Sequence, residues 1–387
     1  MEVLKSKSYK ENKKIKILLL ADHAIGKDGP HRNVVVSLNA LCTRKKLSII
    51  LLTGEIEKNA PYAKSENIKI VLGFSPKKID KLITNLILTI REMRNCDVVY
   101  VPTNLTSWLY ALFCGGWYKK FVAGPNVTGI PILMPIYNPN KIMTTWFVQK
   151  WIENSEIRKN ECLKGGTDES QIVVIPHRID TNDFTPKKRD LEIWSKYGLD
   201  KKRLKIIHVG RADEKTKGVF ELMNSFKILN HENKYDLIYV GSKGSYWVDD
   251  FLDIPGVYYF GRVYGEELRK LYASSDIFFA LSSSESFWFT PLEAMSSGLP
   301  VVVSNTGAVD IMIPQSGKQG IIINVVGKEK KEFSSNVCYL AANVLEELCT
   351  NESMRCEIGK NARKHICHNF SQEKLGIDLE NVFIGIN

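Results

Sequence analysis

The sequence predicts an α/β protein made of two Rossmann-like domains, each built on a doubly wound parallel sheet. Short apolar runs typical of buried strands alternate with segments whose apolar residues recur at helical spacing. The alternation starts near residue 15 and starts again near residue 204, with no sequence repeat between the halves. The chain has 387 residues, which exceeds the size at which one core usually stops growing, so two domains are expected.

The first half contains seven predicted strands. We expect them at residues 15–21, 47–53, 68–73, 97–101, 120–124, 146–152 and 171–176, and residues 146–152 are ambiguous between strand and helix, with strand preferred. Helices are expected from near residue 33 and at 77–94, 105–114 and 156–163, the last one capped by Ser155. The loop 22–32 carries two glycines, which let a backbone approach a ligand closely, but it has no G-x-G-x-x-G fingerprint.

The second half repeats the alternation with six predicted strands. They are expected at 204–209, 236–241, 257–260, 277–281, 300–304 and 320–324, and helices at 219–230, 266–273, 290–297, 333–349 and 352–368. The segment 177–186 is typical of a linker, so the domains are predicted to span 15–186 and 187–369. Residues 1–14 form a basic extension, and 370–387 are expected to cross back to the first domain.

Composition limits the classes of partner. The net charge of +10 and pI near 9.0 favour an anionic partner, which is a phosphate ligand, an anionic membrane surface or a nucleic acid. No basic run is interleaved with aromatic residues, so nucleic acid is the least favoured. No signal peptide or membrane span is predicted, and helix 77–94 is interpreted as covering the sheet in preference to touching a membrane.

Cysteine usage and metal-ligand patterns point to a reducing compartment and to no bound metal. The eight cysteines are scattered without any C-x-x-C pair in a chain too large to need disulfides, which suits the cytoplasm. No D-x-D follows a predicted strand, and no cluster of His, Cys and Asp has ligand spacing. We therefore expect neither a metal nor another cofactor.

One stretch, residues 282–305, carries two carboxylates at a strand–loop–helix junction. Glu285 lies on the loop that leaves a predicted strand, where open parallel sheets bind ligands. Thr290 is predicted to cap the next helix and Glu293 to complete a capping box, with Gly298 as the stop. The capping box alone explains Glu293 without a ligand, and chance exposure remains an alternative for Glu285.

A second loop at the same sheet edge is basic. Arg211 follows the strand 204–209 directly, and Lys217 precedes the next helix. A guanidinium fork and a mobile ammonium together suit a diphosphate, although a merely solvated loop is the alternative. Carboxylates accept hydrogen bonds from hydroxyls. A ligand with hydroxyls at both ends and a diphosphate between them is a nucleotide sugar.

The motifs of the second half, in their order, resemble those of the retaining glycosyltransferases of family 4, also called glycosyl transferases group 1. The residues that carry the resemblance are Val209-Gly210-Arg211, Lys217-Gly218, Phe260-Gly261-Arg262-Val263, Leu281 to Glu285, Glu293-Ala294-Met295 and Gly298-Leu299-Pro300-Val301, with Glu285 and Glu293 at E-x7-E spacing. The resemblance implies the GT-B fold, in which two Rossmann-like domains face a central cleft. It also implies an acceptor-side first domain, a nucleotide-sugar-binding second domain, and metal-independent transfer with retention of configuration.

The resemblance assigns roles to individual residues. Arg211, Lys217 and Glu285 form the predicted catalytic set: the two cations hold the departing diphosphate, and the carboxylate holds hydroxyls of the donor sugar. Glu293 would bind the ribose. Further donor contacts are expected from Gly210, Arg262 and Val263, the latter two beside the base, and from Ser286, Phe287, Trp288, Phe289 and Thr290.

Three departures from the family pattern affect these assignments. Trp288 stands where a glycine is common, which would reshape the sugar pocket. His177 and Arg178 replace an Asn-Gly pair at the end of the first domain. The histidine that often follows a strand of the first domain is absent. The candidates for cleft contacts from that domain are therefore Gly29, His31, Asn126 and His177.

We thus expect a glycosyltransferase that moves a sugar from a nucleotide-diphosphate donor to a hydroxyl of a glycan, lipid-linked or small-molecule acceptor, in synthesis of cell-surface polysaccharide, glycolipid or glycoconjugate. The expected location is the cytoplasm, with peripheral attachment to the inner face of the plasma membrane if the basic surplus lies on the first domain. The alternatives are a nucleotide-sugar epimerase of the same fold, a relative that has lost catalysis, and a basic nucleic-acid-binding protein.

Overall fold

A computed structural model describes most of the chain and divides it into two compact units. The described residues are 14–25, 29–102, 105–114, 119–124, 148–186, 190–213, 215–285, 287–324, 333–334 and 336–386. Unit 1 consists of Met1–Arg178 and Gln372–Asn387, and unit 2 of Ile179–Ser371. The division thus follows Arg178, earlier than residue 186, and the C-terminal segment belongs to unit 1.

Unit 1 contains a parallel sheet of seven strands. They are β1 (Ile15–Leu20), β2 (Leu47–Thr53), β3 (Ile68–Leu72), β4 (Val98–Val101), β5 (Lys120–Ala123), β6 (Lys150–Glu153) and β7 (Ile172–Val174). Their order is β3-β2-β1-β4-β5-β6-β7, so the direction of winding changes between β1 and β4. The predicted α/β class and parallel sheet are confirmed for this unit.

Five helices of unit 1 lie among the described residues. They are α1 (Gly29–Leu41), α2 (Leu82–Met93), α3 (Leu105–Phe113), α4 (Glu156–Lys164) and, from the end of the chain, α12 (Gln372–Ile386). The Ser155 side chain accepts a hydrogen bond from the Arg158 backbone and caps α4, as predicted. Helix α1 begins before the predicted residue 33 because Pro30 is tolerated in a first helical turn. Helix α2 begins after residue 77 because Lys78 N–H closes a turn on Ser75.

The helix α12 completes the core of unit 1. Its residues Leu375, Leu379 and Phe383, spaced by one helical turn, are buried in the cluster formed by β1, β2 and α1. Two ion pairs accompany this packing, from Arg44 to Glu380 at 2.8 Å and from Arg178 to Asp378 at 2.5 Å. A segment distant in sequence is therefore part of the first hydrophobic core.

Unit 2 contains a parallel sheet of six strands. They are β8 (Leu204–Val209), β9 (Tyr235–Val240), β10 (Val257–Gly261), β11 (Ile277–Ala280), β12 (Val301–Ser304) and β13 (Ile321–Ile323). The order is β10-β9-β8-β11-β12-β13, so the winding direction changes between β8 and β11. All six strands agree with the sequence prediction, and the second doubly wound sheet is confirmed.

The described helices of unit 2 cover both faces of this sheet. They are α5 (Glu192–Lys196), α6 (Val219–Leu229), α7 (Gly265–Ser274), α8 (Phe289–Ser296), α9 (Val309–Met312), α10 (Val337–Thr350) and α11 (Glu352–Asn369). In the part of the chain that the structure describes, no helix combines the length and apolarity that a membrane crossing requires.

The predicted capping box at Thr290 is wrong. Helix α8 begins at Phe289, so Trp288 occupies the N-cap position, two residues before the predicted cap, and Thr290 lies inside the first turn. The Thr290 hydroxyl is buried and has no hydrogen-bond partner among the described residues. The carboxylate of Glu293 therefore has a different role from helix capping.

We expect the packing of α12 on α1 to be sensitive to one glycine. A Cβ atom at Gly376 would lie 2.6 Å from the Ala40 carbonyl oxygen, whereas one at Gly385, on the same helix, would meet nothing within 4 Å. Gly376→Ala should therefore lower the free energy of unfolding by about 1–3 kcal/mol, the usual effect of overpacking. Urea unfolding followed by circular dichroism measures this change. The control, Gly385→Ala, should be neutral or stabilising by up to about 1 kcal/mol.

Candidate functional site

The candidate site of unit 2 lies where the sheet reverses its winding, between β8 and β11. In open α/β sheets the loops at the carboxyl ends of such strands diverge and leave room for a ligand. Here the two loops are joined by hydrogen bonds. The Thr216 carbonyl accepts one from the Ser282 hydroxyl and one from the Ser283 backbone, each at 2.8 Å. The predicted basic and acidic loops are therefore neighbours in the structure.

The Lys217 ammonium and the Glu285 carboxylate meet at this edge. Lys217 Nζ lies 2.8 Å from Glu285 Oε1, and the side chains are only 22% and 11% exposed. A short helical turn, Lys215–Lys217, delivers the lysine, while the Glu285 backbone N–H donates to the Thr306 hydroxyl at 3.1 Å. The site thus holds a cation and a carboxylate side by side, with limited access to water.

Gly218 makes this approach of the loops feasible. It has a φ of 59°, which favours glycine, and a Cβ atom there would lie 2.8 Å from the Leu281 carbonyl oxygen. The same residue precedes α6, whose first backbone N–H groups have no partner within the helix. The lysine therefore lies immediately before a helix N-terminus, a favourable place for phosphate.

Arg211, the second predicted cation, is exposed at the start of the same loop. Its guanidinium forms an ion pair with Asp213 at 2.8 Å. Gly210, just before it, approaches Gly241 so closely that a Cβ atom on Gly241 would lie 1.6 Å from the Gly210 carbonyl oxygen. The backbone at the end of β8 is therefore packed tightly, which fixes the position of the Arg211 main chain.

His208, at the end of β8, is a residue that the sequence interpretation missed. It is buried, it stacks on Tyr239 at 4.8 Å, and its Nδ1 donates to the Phe279 carbonyl at 3.0 Å. Burial and, to a smaller extent, the charge of the nearby Lys217 lower the pKa of His208 to about 4, although the hydrogen bond to the Phe279 carbonyl opposes this shift. The imidazole is therefore neutral at pH 7 and adds no charge beneath the basic loop. The sequence contained one indication that His208 belongs to the site, because it lies two residues before Gly210-Arg211.

Glu293 is fully buried inside unit 2. Its Oε2 accepts a hydrogen bond from the Tyr272 hydroxyl of α7 at 3.0 Å. Tyr272 in turn packs edge-to-face on Phe184 at 5.9 Å. A buried carboxylate needs such partners to offset the loss of water. Its assignment to a ribose stays a prediction.

The aromatic segment before α8 packs largely into the interior. Phe287 and Trp288 are both buried within the hydrophobic cluster of unit 2. Phe289, which begins α8, packs edge-to-face on Phe287 at 6.0 Å. Ser286 lies outside the described residues. Trp288 thus has a core-packing role in the structure, and its influence on a sugar pocket stays a prediction.

Arg262 and Val263 follow β10, and their side chains have opposite environments. Arg262 is exposed, whereas Val263 is buried in the same cluster as Trp288. The side chain of Val263 is therefore part of the core, and the contact of this segment with a nucleotide base stays a prediction.

Unit 1 brings its own polar cluster to the carboxyl end of β1. Buried Asp22 lies 3.2 Å from His31 Nε2 and 3.1 Å from Lys77 Nζ. Burial alone would raise the pKa of Asp22, but Lys77 and His31 lower it below its ordinary value. Gly29 begins α1, and Asn126 lies outside the described residues. Asp22 was the residue of this cluster that sequence interpretation did not single out.

His177 has a structural environment within unit 1. It is buried, with Nδ1 3.0 Å from Asn33 Oδ1 and Nε2 3.1 Å from Asn154 Nδ2. Burial lowers the pKa of His177 to about 3. A neutral ring with both nitrogens engaged by amides serves to hold α1 and the ends of β6 and β7 together.

The described residues contain no group of three or more His, Cys, Asp or Glu side chains arranged to hold a metal ion. The site of unit 2 combines Lys217, Arg211 and the N-terminus of α6 as positive elements with Glu285, a carboxylate whose side chain is 11% exposed. Such a set can hold an anion beside hydroxyl groups.

Comparison with solved structures defines the fold as that of GT-B glycosyltransferases. A glycosyltransferase from Rickettsia africae superposes with a TM-score of 0.73 at 20% identity, covering 96% of this chain and 98% of that chain. HepE from Anabaena, solved in complex with UDP-glucose, superposes with a TM-score of 0.70 at 16% identity, covering 96% and 100%. At these identities the likeness establishes the architecture.

Sequence comparison finds a family similarity within unit 2. Residues 203–343 match the model of the glycosyl transferases group 1, and this segment contains Lys217, Glu285 and Glu293. The similarity to that family covers about a third of the chain.

Two relatives show the extent of the similarity. The sulfoquinovosyl transferase SQD2 of Arabidopsis thaliana is 31% identical over 53% of this chain and 43% of its own length. The capsular polysaccharide glycosyltransferase CapM of Staphylococcus aureus is 30% identical over 46% and 44%. The chain thus covers less than half the length of these two relatives.

We expect the neutral state of His208 to appear in the pH dependence of stability. The pKa of His208 is about 4 in the folded state and about 6.5 in the unfolded state. Its contribution to the free energy of unfolding is therefore complete above pH 6.5 and is lost as the pH falls toward 4. His208→Asn keeps an amide donor for the Phe279 carbonyl but cannot titrate. The slope of unfolding free energy between pH about 6.5 and 4.5 should fall by up to about 1.4 kcal/mol per pH unit.

Urea unfolding at several pH values measures this slope. His231→Asn, which changes an exposed histidine of the same unit, is the matched control and should leave the slope unchanged. An equal slope for wild type and His208→Asn would contradict a neutral, buried His208.

Proposed function

We propose that the protein is a glycosyltransferase that moves a sugar from a nucleotide-diphosphate donor to an acceptor hydroxyl. The observation that carries this proposal is the Lys217–Glu285 pair at 2.8 Å, placed where the sheet of unit 2 reverses its winding. The Lys217 ammonium can bind phosphate oxygens, and the adjacent Glu285 carboxylate can accept hydrogen bonds from sugar hydroxyls. A sugar diphosphate has both kinds of group next to each other. The group 1 match of residues 203–343 supports the same reaction class.

The two cations would act on the leaving group. As the bond between the anomeric carbon and the diphosphate oxygen breaks, negative charge grows on that oxygen. The acceptor oxygen forms a new bond to the anomeric carbon, and its proton passes to the released diphosphate or to solvent. Lys217 and Arg211 would stabilise this charge, assisted by backbone N–H groups at the start of α6. The partial burial of Lys217 strengthens its effect, since screening by water is reduced.

Glu285 and Glu293 would have separate tasks. Glu285 would accept hydrogen bonds from hydroxyls of the donor sugar, because it is the partly exposed carboxylate beside the phosphate site. Glu293 would bind the ribose, with Tyr272 fixing the orientation of its carboxylate. Backbone beside Arg262 and Val263 would meet the base. In this scheme the nucleotide lies along the carboxyl edge of the sheet from β10 to β11.

We further propose that transfer proceeds with retention and without a metal ion. The resemblance of the motifs around Glu285 and Glu293 to retaining transferases supports the stereochemistry, and the cations Arg211 and Lys217 can supply the positive charge that a metal would give. The acceptor would be a glycan or a lipid-linked carrier in synthesis of a surface polysaccharide or glycolipid. HepE was solved with UDP-glucose, so this donor is the first to test.

Donor binding gives the most direct test. In a thermal-shift screen of UDP-, GDP- and ADP-linked sugars, we expect one nucleotide class to raise the melting temperature, because a ligand that binds the folded state stabilises it. Lys217→Ala and Glu293→Gln should each strongly reduce this rise in melting temperature, because each removes a proposed contact with the donor. Glu285→Gln should mainly lower the transfer rate, by about 10²-fold or more.

Lys227→Ala is the control for Lys217→Ala, because Lys227 is an exposed lysine in the last turn of α6, at the end opposite Lys217. It should bind donor and transfer as wild type does. An unchanged rate in Lys217→Ala would reject the site. Conversion of the donor sugar to an isomer without acceptor would indicate an epimerase, and donor binding without any turnover would indicate a relative that has lost catalysis.

Metal independence and stereochemistry are tested together on the transfer product. Transfer should continue at an unchanged rate in EDTA, because the positive charge at the leaving group comes from side chains. Proton NMR of the product formed from an α-linked donor should show an α anomer. Loss of activity in EDTA that is restored by Mg²⁺ or Mn²⁺, or a β anomer, would contradict these two parts of the proposal.

A further inference from the structure

Three polar side-chain atoms at the carboxyl ends of β8 and β9 are buried and have no hydrogen-bond partner among the described residues. They are Asp213 Oδ1, the Tyr239 hydroxyl and Trp247 Nε1. Buried polar groups are almost always hydrogen-bonded, because an unpaired group has lost its interaction with water. Three such atoms in neighbouring segments therefore indicate a partner that they share.

The segments that carry these atoms pack on one another. The Ala212 N–H donates to the Ser242 carbonyl at 3.1 Å, and the Tyr246 N–H donates to the Ala212 carbonyl at 2.9 Å. A Cβ atom at Gly244 would lie 2.5 Å from Asp213 Cα, so the two backbones touch there. Asp213 is therefore enclosed by the loop that follows β9.

Tyr239 and Trp247 form the interior wall beside Asp213. Their ring centroids lie 4.8 Å apart in an edge-to-face arrangement, and the side chains are 0% and 9% exposed. Burial raises the pKa of Tyr239, and the charges of Tyr259 and Asp213 add to this rise. The Tyr239 phenol therefore stays protonated as a donor, within electrostatic reach of the Asp213 carboxylate.

The two oxygens of Asp213 have different environments. Oδ1 is buried, whereas Oδ2 lies 2.8 Å from Nη1 of Arg211, and the two side chains are 36% and 57% exposed. One carboxylate thus joins the interior of unit 2 to the guanidinium that the proposed function places at the diphosphate.

The chemistry of the three buried atoms selects water as their shared partner. The Tyr239 hydroxyl and the Trp247 indole can donate, and Asp213 Oδ1 can only accept. A water molecule accepts two hydrogen bonds and donates two, and buried waters typically have about three polar partners. A metal ion fits less well, because the indole N–H offers it no lone pair.

We propose that Asp213 is a positioning residue for Arg211, and that a buried water links its inner oxygen to Tyr239 and Trp247. Held from the interior, the carboxylate would keep the guanidinium in one orientation before the donor arrives. An arginine without this support would lose more rotamer freedom when it binds the diphosphate. Asp213 has this role only if Arg211 acts on the leaving group, so it rests on the proposed function.

Steady-state transfer kinetics test the role of Asp213. Asp213→Asn keeps the size of the side chain and an inner oxygen but removes the charge that holds Arg211. We expect kcat to fall about tenfold, because a misplaced group stabilises the transition state less. The rise in melting temperature on donor binding should change little, since Lys217 remains. Tyr239→Phe should lower kcat by about threefold through the same path.

Two controls make the same chemical changes elsewhere in unit 2. Asp249→Asn removes an exposed carboxylate that pairs with Lys243 at 2.7 Å. Tyr235→Phe changes the other tyrosine of β9, at the opposite end of the strand. Both should transfer as wild type does. A wild-type kcat in Asp213→Asn, or an equal loss in Asp213→Asn and Asp249→Asn, would overturn the role of Asp213.

The Arg211→Ala background separates positioning from packing. Lys217 keeps one cation at the leaving group in this background. If Asp213 and Tyr239 act through the arginine, then Asp213→Asn and Tyr239→Phe should each change kcat less than about twofold once the arginine is absent. Losses of the same size with and without Arg211 would show a general structural effect and would overturn the proposal.

The water link is measured without donor or acceptor. In urea unfolding, the double variant Asp213→Asn with Tyr239→Phe should be less destabilised than the sum of the two single variants, because both remove the same link. A crystal structure of the full chain should show a water within about 3 Å of all three atoms. Additive destabilisation, or a density map without this water, would overturn the link.

Failure of the proposed function is distinguishable from failure of this proposal. A wild type that transfers no sugar would reject the transferase and with it the role of Asp213. Normal transfer by wild type together with an unchanged Asp213→Asn would reject the role of Asp213 alone and leave the proposed transferase intact.

Discussion

The close approach of two loops at the reversal point of the second sheet is the constraint on which the candidate site depends. Parallel strands β8 and β11 are neighbours, so the segments that leave their carboxyl ends begin side by side. Gly218 leaves no room for a side chain against Leu281, and the Thr216 carbonyl is held by two serines of the opposite loop. The Lys217–Glu285 pair is a consequence of this backbone contact. Residues almost seventy positions apart in the chain therefore form one charged element.

The two units differ in how they use charge. In unit 2 the acidic and basic residues are equal in number. Its candidate function therefore depends on the positions of a few charged groups, which are Lys217, Arg211 and Glu285. Unit 1 carries the whole surplus of positive charge, with 28 Lys and Arg against 18 Asp and Glu, and this charge acts over its surface as a whole. In the proposed scheme, unit 2 recognises a small polyanionic ligand.

The strand pattern was predictable because parallel strands buried on both faces are almost continuously apolar. Runs such as residues 15–20 and 301–304 leave little ambiguity, and the group 1 motifs located Lys217 and Glu285 in adjacent loops. The start of α8 was not predictable in the same way. Thr290 has the side chain of a cap, yet the packing of Phe287 and Trp288 into the core determines where the helix begins. Tertiary packing overrides a local preference of about 1 kcal/mol.

Side-chain partners distant in sequence were also beyond local interpretation. The Tyr272–Glu293 and Asp22–Lys77 contacts join elements whose proximity only the folded sheet defines. Helix α2 is another example. Its periodicity correctly predicts a helix, and Met93, Leu86 and Leu88 pack against the core of unit 1. Periodicity does not predict that Asn85 and Glu92 are also buried, because their burial depends on the partners that Ser75 and Lys69 offer.

The contribution of α12 to unit 1 has a consequence for how the protein is made. Unit 2 is one uninterrupted segment, 179–371, whereas the core of unit 1 lacks Leu375, Leu379 and Phe383 until the ribosome has passed through all of unit 2. The domain whose first strand is synthesised earliest is thus the last to close. During that interval the apolar residues that pack against α12 lack this cover, and transiently exposed apolar surface of this kind favours aggregation.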